Sequence, residues 1–304
     1  MIVVTGAAGF IGTGLVRRLA ATGVDVTGID RRTSSTPGIP HVVGDLTEPR
    51  PAVRRLLGAA DVVVHLAARP GVRDRSPGIE RARHRDNVLA TRHVLAAASG
   101  PVIAASSSSV YGGTAAGRPS REDEELRPLG GYARSKAQAE ALCAEHRRRG
   151  ATVCVVRPFT VVGPGQRADM ALDRWLRAAL AGRPVEVYGS LERSRDITDV
   201  RAVTTALTDL VALAVANRVL PDAVNLGTGR SRRLGELVGA VRRAVPGSRV
   251  VHVEPGGEPE PDHTLADTGR CHAVLGYALS TDLDDVVEAQ LAALAADRGL
   301  ARGA

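Results

Sequence analysis

The sequence predicts an α/β fold, a doubly wound parallel sheet of the Rossmann type with a smaller, interleaved C-terminal substrate domain. Three observations carry that expectation. Short β-branched runs alternate with helical patterns through the first 160 residues, and such alternation builds a parallel sheet with helices on both faces. A glycine triplet, Gly6, Gly9 and Gly12, stands between the first strand and the first helix, where a dinucleotide-binding turn would lie. After Pro158 the rhythm is broken by Pro, Gly and charged residues at 163–166, 182–184 and 189–199, which predicts a loop-rich lid over the carboxyl ends of the strands.

Taken in order, Ile2–Thr5 reads as the first strand and Phe10–Ala21 as the first helix. Residues 24–30 and 41–43 read as strands two and three. Residues 61–67 contain Val62-Val63-Val64, the continuous apolar run of a strand buried on both faces. One helix is expected over 83–98, a strand over 102–106, a helix over 132–149 and a strand over 152–157. Beyond the break, a helix at 200–216 and the strand Ala223–Leu226 are expected to rejoin the sheet. The domains are therefore 1–160, with the segment near 195–228 returning to it, and 161–304. The last residues, 298–304, are expected to fray.

Composition narrows the function. The chain has 304 residues, 44% hydrophobic and 24% charged, a balance that excludes disorder and supports a sizeable core without disulfides. Cys143, Cys154 and Cys271 are odd in number and far apart, so buried free thiols are expected and neither a disulfide framework nor a metal site. No apolar run approaches the roughly 18 residues of a membrane span, and no secretory leader is evident, so no membrane partner and a cytoplasmic location are expected. The net charge is +7, but the arginines are scattered and aromatic residues are 2%. That is too few for base-stacking platforms, so a nucleic-acid partner is not expected. Among 40 basic residues, Lys136 is the single lysine.

The motifs specify chemistry. Gly6 permits a tight turn, Gly9 lets backbone approach a pyrophosphate, and Gly12 allows close helix packing. Asp30 ends the second strand, where a carboxylate accepts bonds from ribose hydroxyls and repels a 2′-phosphate, so NAD is the expected cofactor. Arg31 and Arg32 follow at once and would instead receive a 2′-phosphate. Asp45 either bonds the adenine amino group or caps the next helix. Tyr132 and Lys136 are four residues apart on a predicted helix, which puts phenol and ammonium on one face. A cation beside a phenol lowers its pKa and makes it a proton shuttle. The run Ser106–Ser109 sits at the carboxyl end of a predicted strand, where such sheets bind ligands.

Together the glycine triplet, His65-Leu66-Ala67-Ala68, Ser109-Val110-Tyr111-Gly112, Tyr132/Lys136 and Arg195-Asp196-Ile197-Thr198 resemble the extended short-chain dehydrogenase/reductase family of NAD-dependent nucleotide-sugar epimerases and dehydratases. The resemblance covers nearly the whole chain. It implies that Tyr132 is the base, that Lys136 holds the phenol and the nicotinamide ribose, and that Ser107 bonds the sugar 4-oxygen. It implies that Phe10, Ile11, Leu46, Leu66, Ala67 and Ala68 join Gly6, Gly9, Gly12, Asp30, Arg31 and Asp45 around NAD. Asn87 would lie near the active-site backbone or the cofactor, and Arg195 on the UDP phosphates. A homodimer through the helices near 83–99 and 132–149 is also implied.

Within that family, 4,6-dehydratases carry an Asp-Glu pair where this chain has Ser108 and Ser109, and decarboxylases place a Glu at the second position. The resemblance therefore points to a 4-epimerase. Pro70-Gly71-Val72-Arg73 and the run from Phe159 to Ala171 are similar to UDP-glucuronic acid 4-epimerases, in which Arg167 would grip the sugar carboxylate, helped by Ser108, Ser109 and Thr160. A guanidinium fork matches a carboxylate. Gly165, Ala168, Ser190-Leu191-Glu192, Ile197, Asp199-Val200-Arg201 and 258–262 depart from the family pattern and bear on the identity of nucleotide and sugar. The alternatives are a UDP-glucose or UDP-N-acetylhexosamine 4-epimerase, an NADP-dependent reductase, and a non-catalytic NAD-binding regulator on the same fold.

Overall fold

The structure is a computed structural model that describes residues 1–34, 36–71, 74–254 and 260–302, with side chains through Ala296. Val72 and Arg73 of the Pro70–Arg73 run, and residues 258–259 of the irregular 258–262 stretch, lie outside the described residues.

In chain order the elements are β1 (Ile2–Thr5), α1 (Phe10–Ala21), β2 (Val26–Asp30), β3 (His41–Val43), α2 (Pro51–Gly58), β4 (Val62–His65), α3 (Ile79–Arg83), α4 (Ala90–Ala97), β5 (Val102–Ala105), α5 (Gly130–Arg148), β6 (Val153–Pro158) and β7 (Val161–Val162). There follow α6 (Ala171–Leu180), β8 (Val185–Tyr188), β9 (Ser194–Asp196), β10 (Thr198–Asp199), α7 (Val200–Val215), β11 (Ala223–Leu226), β12 (Ser231–Arg233), α8 (Leu234–Ala244), β13 (Val250–Val253), α9 (Gly269–Leu275) and α10 (Leu283–Arg302).

Seven strands form one sheet in the order β11-β6-β5-β4-β1-β2-β3, and every pairing in it is parallel. Side chains alternate across a strand, so each strand feeds both faces. Ile2 and Val4 of β1 and Val62 and Val64 of β4 pack under Leu15, Val16 and Leu19 of α1 and Leu207, Leu210 and Val211 of α7. Val3, Val63, Val102 and Val155 face the other way, onto Leu57, Val94, Leu95 and Cys143. The chain leaves the sheet after β6 and returns as β11, which pairs with β6 from Ala223↔Val155 to Leu226↔Pro158. Cys143, Cys154 and Cys271 are all buried and free. Among the described residues, no helix is long and apolar enough to cross a membrane.

Two expectations need correction. The segment beyond Pro158 is more than a loop-rich lid, because it carries its own apolar core of Val162, Leu172, Trp175, Leu176, Val187, Leu237, Val241 and Val286. The reason is the spacing in α6, where Leu172, Trp175, Leu176 and Ala179 fall on one helical stripe. Helix α10 is anchored in that core by Val286, Val287 and Leu294; residues 303–304 of the stretch expected to fray lie outside the described residues. The single helix expected over 83–98 is α3 and α4 joined by a π-helical turn at His84–Leu89.

Leu176 is fully buried and far in sequence from every candidate catalytic residue. Leu176→Ala is expected to destabilise the protein by about 2–5 kcal/mol through a cavity, read as a fall in the urea midpoint. A loss under about 0.5 kcal/mol would show that this second core is not closely packed.

Candidate active site

All strands of a parallel sheet end on one edge, and ligands gather where the strand order reverses. Here that point is β1, flanked by β2 and β4. The turn after β1 carries Gly6 at φ 70°. A Cβ there would lie 2.6 Å from the Ala67 nitrogen, and one on Gly12 would collide with the Gly6 carbonyl oxygen. Gly9 caps α1 with no side chain over the helix end, and Phe10 and Ile11 open that helix half-buried. The free N–H groups of the first turn and the dipole favour an anion at this end. A bare glycine turn against β4, with a carboxylate at the end of β2, fits NAD.

Asp30 supports the turn directly. Its Oδ2 accepts from the Ala8 N–H at 3.1 Å and its Oδ1 from the Arg32 N–H at 3.0 Å. Arg31 turns away from it. The Arg31 guanidinium donates to both oxygens of Asp45 at 2.9 Å and to Asp86 Oδ1 at 2.8 Å. It is thus already paired with two carboxylates, of which Asp86 is buried. Asp45 also accepts from the Thr47 N–H at 2.8 Å, so it closes a turn and holds Arg31 at once. Burial opposes ionisation of Asp86, but hydrogen bonds from Arg85, Arg31 and Arg69 hold its carboxyl far below the usual range. Leu46 is buried, and Leu66, Ala67 and Ala68 line the exit of β4 half-buried. His65, one residue earlier, bonds Thr5 Oγ1 at 2.7 Å and Thr91 Oγ1 at 3.0 Å.

Asn87 joins the loop after β4 to α5. Its Oδ1 accepts from the Arg69 N–H at 2.6 Å, and its Nδ2 donates to Ser135 Oγ at 2.9 Å. Ser135 in turn donates to the Tyr132 carbonyl at 2.7 Å. Asn87 therefore fixes the backbone of the residue that carries the phenol.

Beyond β5 the chain forms a 3₁₀ turn, Ser108–Tyr111, capped by Ser107, whose Oγ accepts from the Ser109 N–H at 3.2 Å. The Ser107 side chain also acts on the Tyr132 phenol, favouring its ionised form. Lys136, one turn along α5, is buried and donates to the Ala105 carbonyl at 2.8 Å. Burial pushes its ammonium down to about 8. Against the expectation that Lys136 lowers the phenol, burial raises Tyr132 overall, opposed by Ser107 and by the charges of Arg167 and Arg83. Desolvation outweighs the cations because the phenolate, not the phenol, loses water.

On the substrate side, Ser108 and Thr160 are half-buried. Ser109 Oγ is buried and, among the described residues, has no hydrogen-bond partner. Arg167 is exposed and paired with Asp169 at 2.9 and 3.0 Å. Arg195 donates to the carbonyls of Ser194 and Asp262 at 2.9 and 3.0 Å and lies 3.7 Å from Glu260, so it stitches β9 to the 260s. Sequence reasoning passed over Gln166, whose amide oxygen and nitrogen are both buried without a partner among the described residues. Its signal was its place beside Arg167. It also passed over Arg83, fully buried under Gly71 and Asp74, to whose carbonyls it donates at 2.6 and 3.0 Å.

The Asp30 carboxylate generates an expectation for the cofactor. Titration by calorimetry should show NAD binding more tightly than NADP, and Asp30→Ser should narrow the gap. Equal affinities in the wild type would mean that Asp30 serves only to brace the turn.

Residues 2–227 match the model of the NAD dependent epimerase/dehydratase family. The chain is 30% identical to the uncharacterized UDP-glucose epimerase YtcB of Bacillus subtilis, over 96% of this chain and 97% of that one. It superposes on MoeE5 in complex with UDP-glucuronic acid and NAD with TM-score 0.87 and 35% identity, covering 97% of this chain and 99% of that one. It superposes on the UDP-glucuronic acid 4-epimerase of Bacillus cereus in complex with UDP-glucuronic acid and NAD with TM-score 0.87 and 27% identity, over 97% and 99%. The chain belongs to the NAD dependent epimerase/dehydratase family and is an NAD-dependent enzyme.

Proposed function

We propose that the chain interconverts UDP-glucuronate and UDP-galacturonate by 4-epimerisation. One observation carries the reading: the buried, unpartnered Ser109 Oγ lies in the turn capped by Ser107, whose side chain acts on the Tyr132 phenol, as does the charge of Arg167. Hydroxyls and a guanidinium near one phenol, with only serines at positions 107–109, suit a carboxylate. The Arg167–Asp169 pair is 40% and 61% exposed, and exposed pairs of this kind are worth about 0–1 kcal/mol. Arg167 can therefore leave Asp169 for a substrate carboxylate at little cost. The solved relatives that hold UDP-glucuronic acid support the reading. It assigns residues 1–160 to the cofactor and 161–304 to the nucleotide sugar, in a cytoplasmic homodimer joined through α4 and α5.

Each residue has a task. Tyr132 takes the proton of the 4-hydroxyl, and Ser107 holds phenol and 4-oxygen in line. Lys136 lies one turn from the phenol and offsets the negative charge it acquires. NAD, when bound, supplies reversible hydride acceptance at carbon 4. The resulting 4-keto sugar must turn to present its other face, and Tyr132 then returns the proton. That keto sugar is a β-keto acid, which is prone to lose carbon dioxide. Arg167, Ser108, Ser109 and Thr160 keep the carboxylate ionised and turned away from the cleavage geometry.

Tyr132→Phe is expected to lower turnover at least about 100-fold, the usual cost of losing a general base, with NAD still bound. Undiminished turnover would leave Tyr132 a structural residue. A side-by-side assay should show UDP-glucuronate epimerised faster than UDP-glucose. A charge-assisted bond is worth about 1.5–3 kcal/mol, so Arg167→Ala should cost the acid sugar roughly 10- to 150-fold, spare the neutral one, and release some UDP-pentose. Equal losses for both sugars, or a wild-type preference for UDP-glucose, would make the enzyme a neutral-sugar epimerase.

A further inference from the structure

Tyr132, Lys136 and Glu140 are spaced by four residues and share one stripe of α5. The first two have roles above; Glu140 has none. It is buried, and both of its oxygens accept from Arg157, at 3.0 and 2.7 Å. Beside Lys136 lies a small internal void lined by His65, Thr91, Ser106, Lys136, Glu140 and Cys143. Lysine and glutamate thus line one small space.

The groups around that space set the charge that acts on the lysine. His65 from β4 is pushed down to about 3 by burial and by Lys136, so it is neutral. Cys143 from α5 is pushed up to about 12 by burial and is also neutral. From α4 and β5 come Thr91, Ala104, Ala105 and Ser106, none of which titrates. Arg157 of β6 stands behind Glu140 and is bound to it. Burial drives Lys136 towards its neutral form; Cys143 and the Glu140 carboxylate pull the other way, and with the Cys143 thiol held neutral by burial the lasting negative charge is that of Glu140.

We propose that Glu140 is a positioning residue for the proton chemistry: clamped by Arg157, its carboxylate faces Lys136 across the void and holds the lysine as an ammonium while Tyr132 exchanges its proton. The proposal rests on Tyr132 acting as the base, as argued above. Its physical reason is that a buried amine beside an opposite charge keeps its proton, and one without that charge loses it as pH rises.

The single lysine makes a direct test possible, because protein grown with lysine labelled with ¹⁵N at the side-chain nitrogen carries one such label. The label is titrated by NMR in the NAD-loaded wild type, in Glu140→Gln, and in the paired variant Glu140→Gln/Arg157→Met. The paired variant removes both charges, and neutral replacement of a buried pair is usually tolerated. The wild-type midpoint is expected near pH 8, and both variants should titrate at least about half a unit lower. The alkaline limb of epimerisation should move down with them. A wild-type midpoint below about 7, or an unchanged midpoint in the folded paired variant, overturns the proposal. The titration needs no sugar, so it stands or falls separately from the reaction proposed above.

Discussion

A buried guanidinium, Arg157, is the point at which the pieces of the site are tied together. It projects from β6 at 5% exposure. Beyond its two bonds to Glu140 on α5, it donates to the Tyr111 hydroxyl at 2.8 Å and the Glu122 carbonyl at 3.1 Å. Tyr111 passes the connection on, donating to Asn225 Oδ1 on β11 at 2.6 Å, and Asn225 donates from its backbone to Glu122 Oε1 at 2.9 Å. Helix and serine turn therefore meet at one cation, and the returning strand joins them through Tyr111 and Glu122. A charge in the interior is tolerated only when its donors are matched, and the matching here uses groups from three separate chain segments. The arrangement contributes little net stability over an apolar equivalent, but it admits a single geometry.

The second half of the chain is held to the first by a similar device. Asp196 is fully buried and accepts from the Thr228 and Gly229 N–H groups at 2.8 and 2.9 Å and from the Ala266 N–H at 3.1 Å. One carboxylate thus organises the end of β9, the loop after β11 and the segment leading to α9. Burial raises its pKa, and the backbone donors pull against that rise. It stands beside Arg195, whose bonds run to the same segment.

The sheet was legible in the sequence because β-branched runs at the centre of a parallel sheet have few other readings. β1, β3 and β11 fall on the expected residues, and β2, β4, β5 and β6 within two of them. The glycine turn was legible for a steric reason, since Gly6 and Gly12 stand where no Cβ fits. What escaped was built from contacts distant in sequence. The antiparallel pair β9–β12 joins residues more than thirty apart through only three rungs, and neither strand has an apolar period. The Arg31–Asp45–Asp86 cluster spans 55 positions, and no local pattern distinguishes its arginine from the other 38. Gln166 carries no local signal beyond its place beside Arg167, because its burial depends on the fold.

The π-helical turn at His84–Leu89 places Asp86 and Asn87 as neighbours with opposite duties. Asp86 gathers Arg31, Arg69 and Arg85 on the side of β2, while Asn87 faces Ser135 on the side of α5. A π turn accommodates one residue more than an α turn in the same axial space. Loss of one residue from this stretch would let it relax to a regular α-helix with α3 and α4 still in phase. The flanks, including Arg83 and Glu80, would keep their facing, and the cost would fall on the wide turn itself, where Asp86 and Asn87 sit. A single-codon deletion here therefore removes the bulge and one of its contacts without re-aiming the helices on either side.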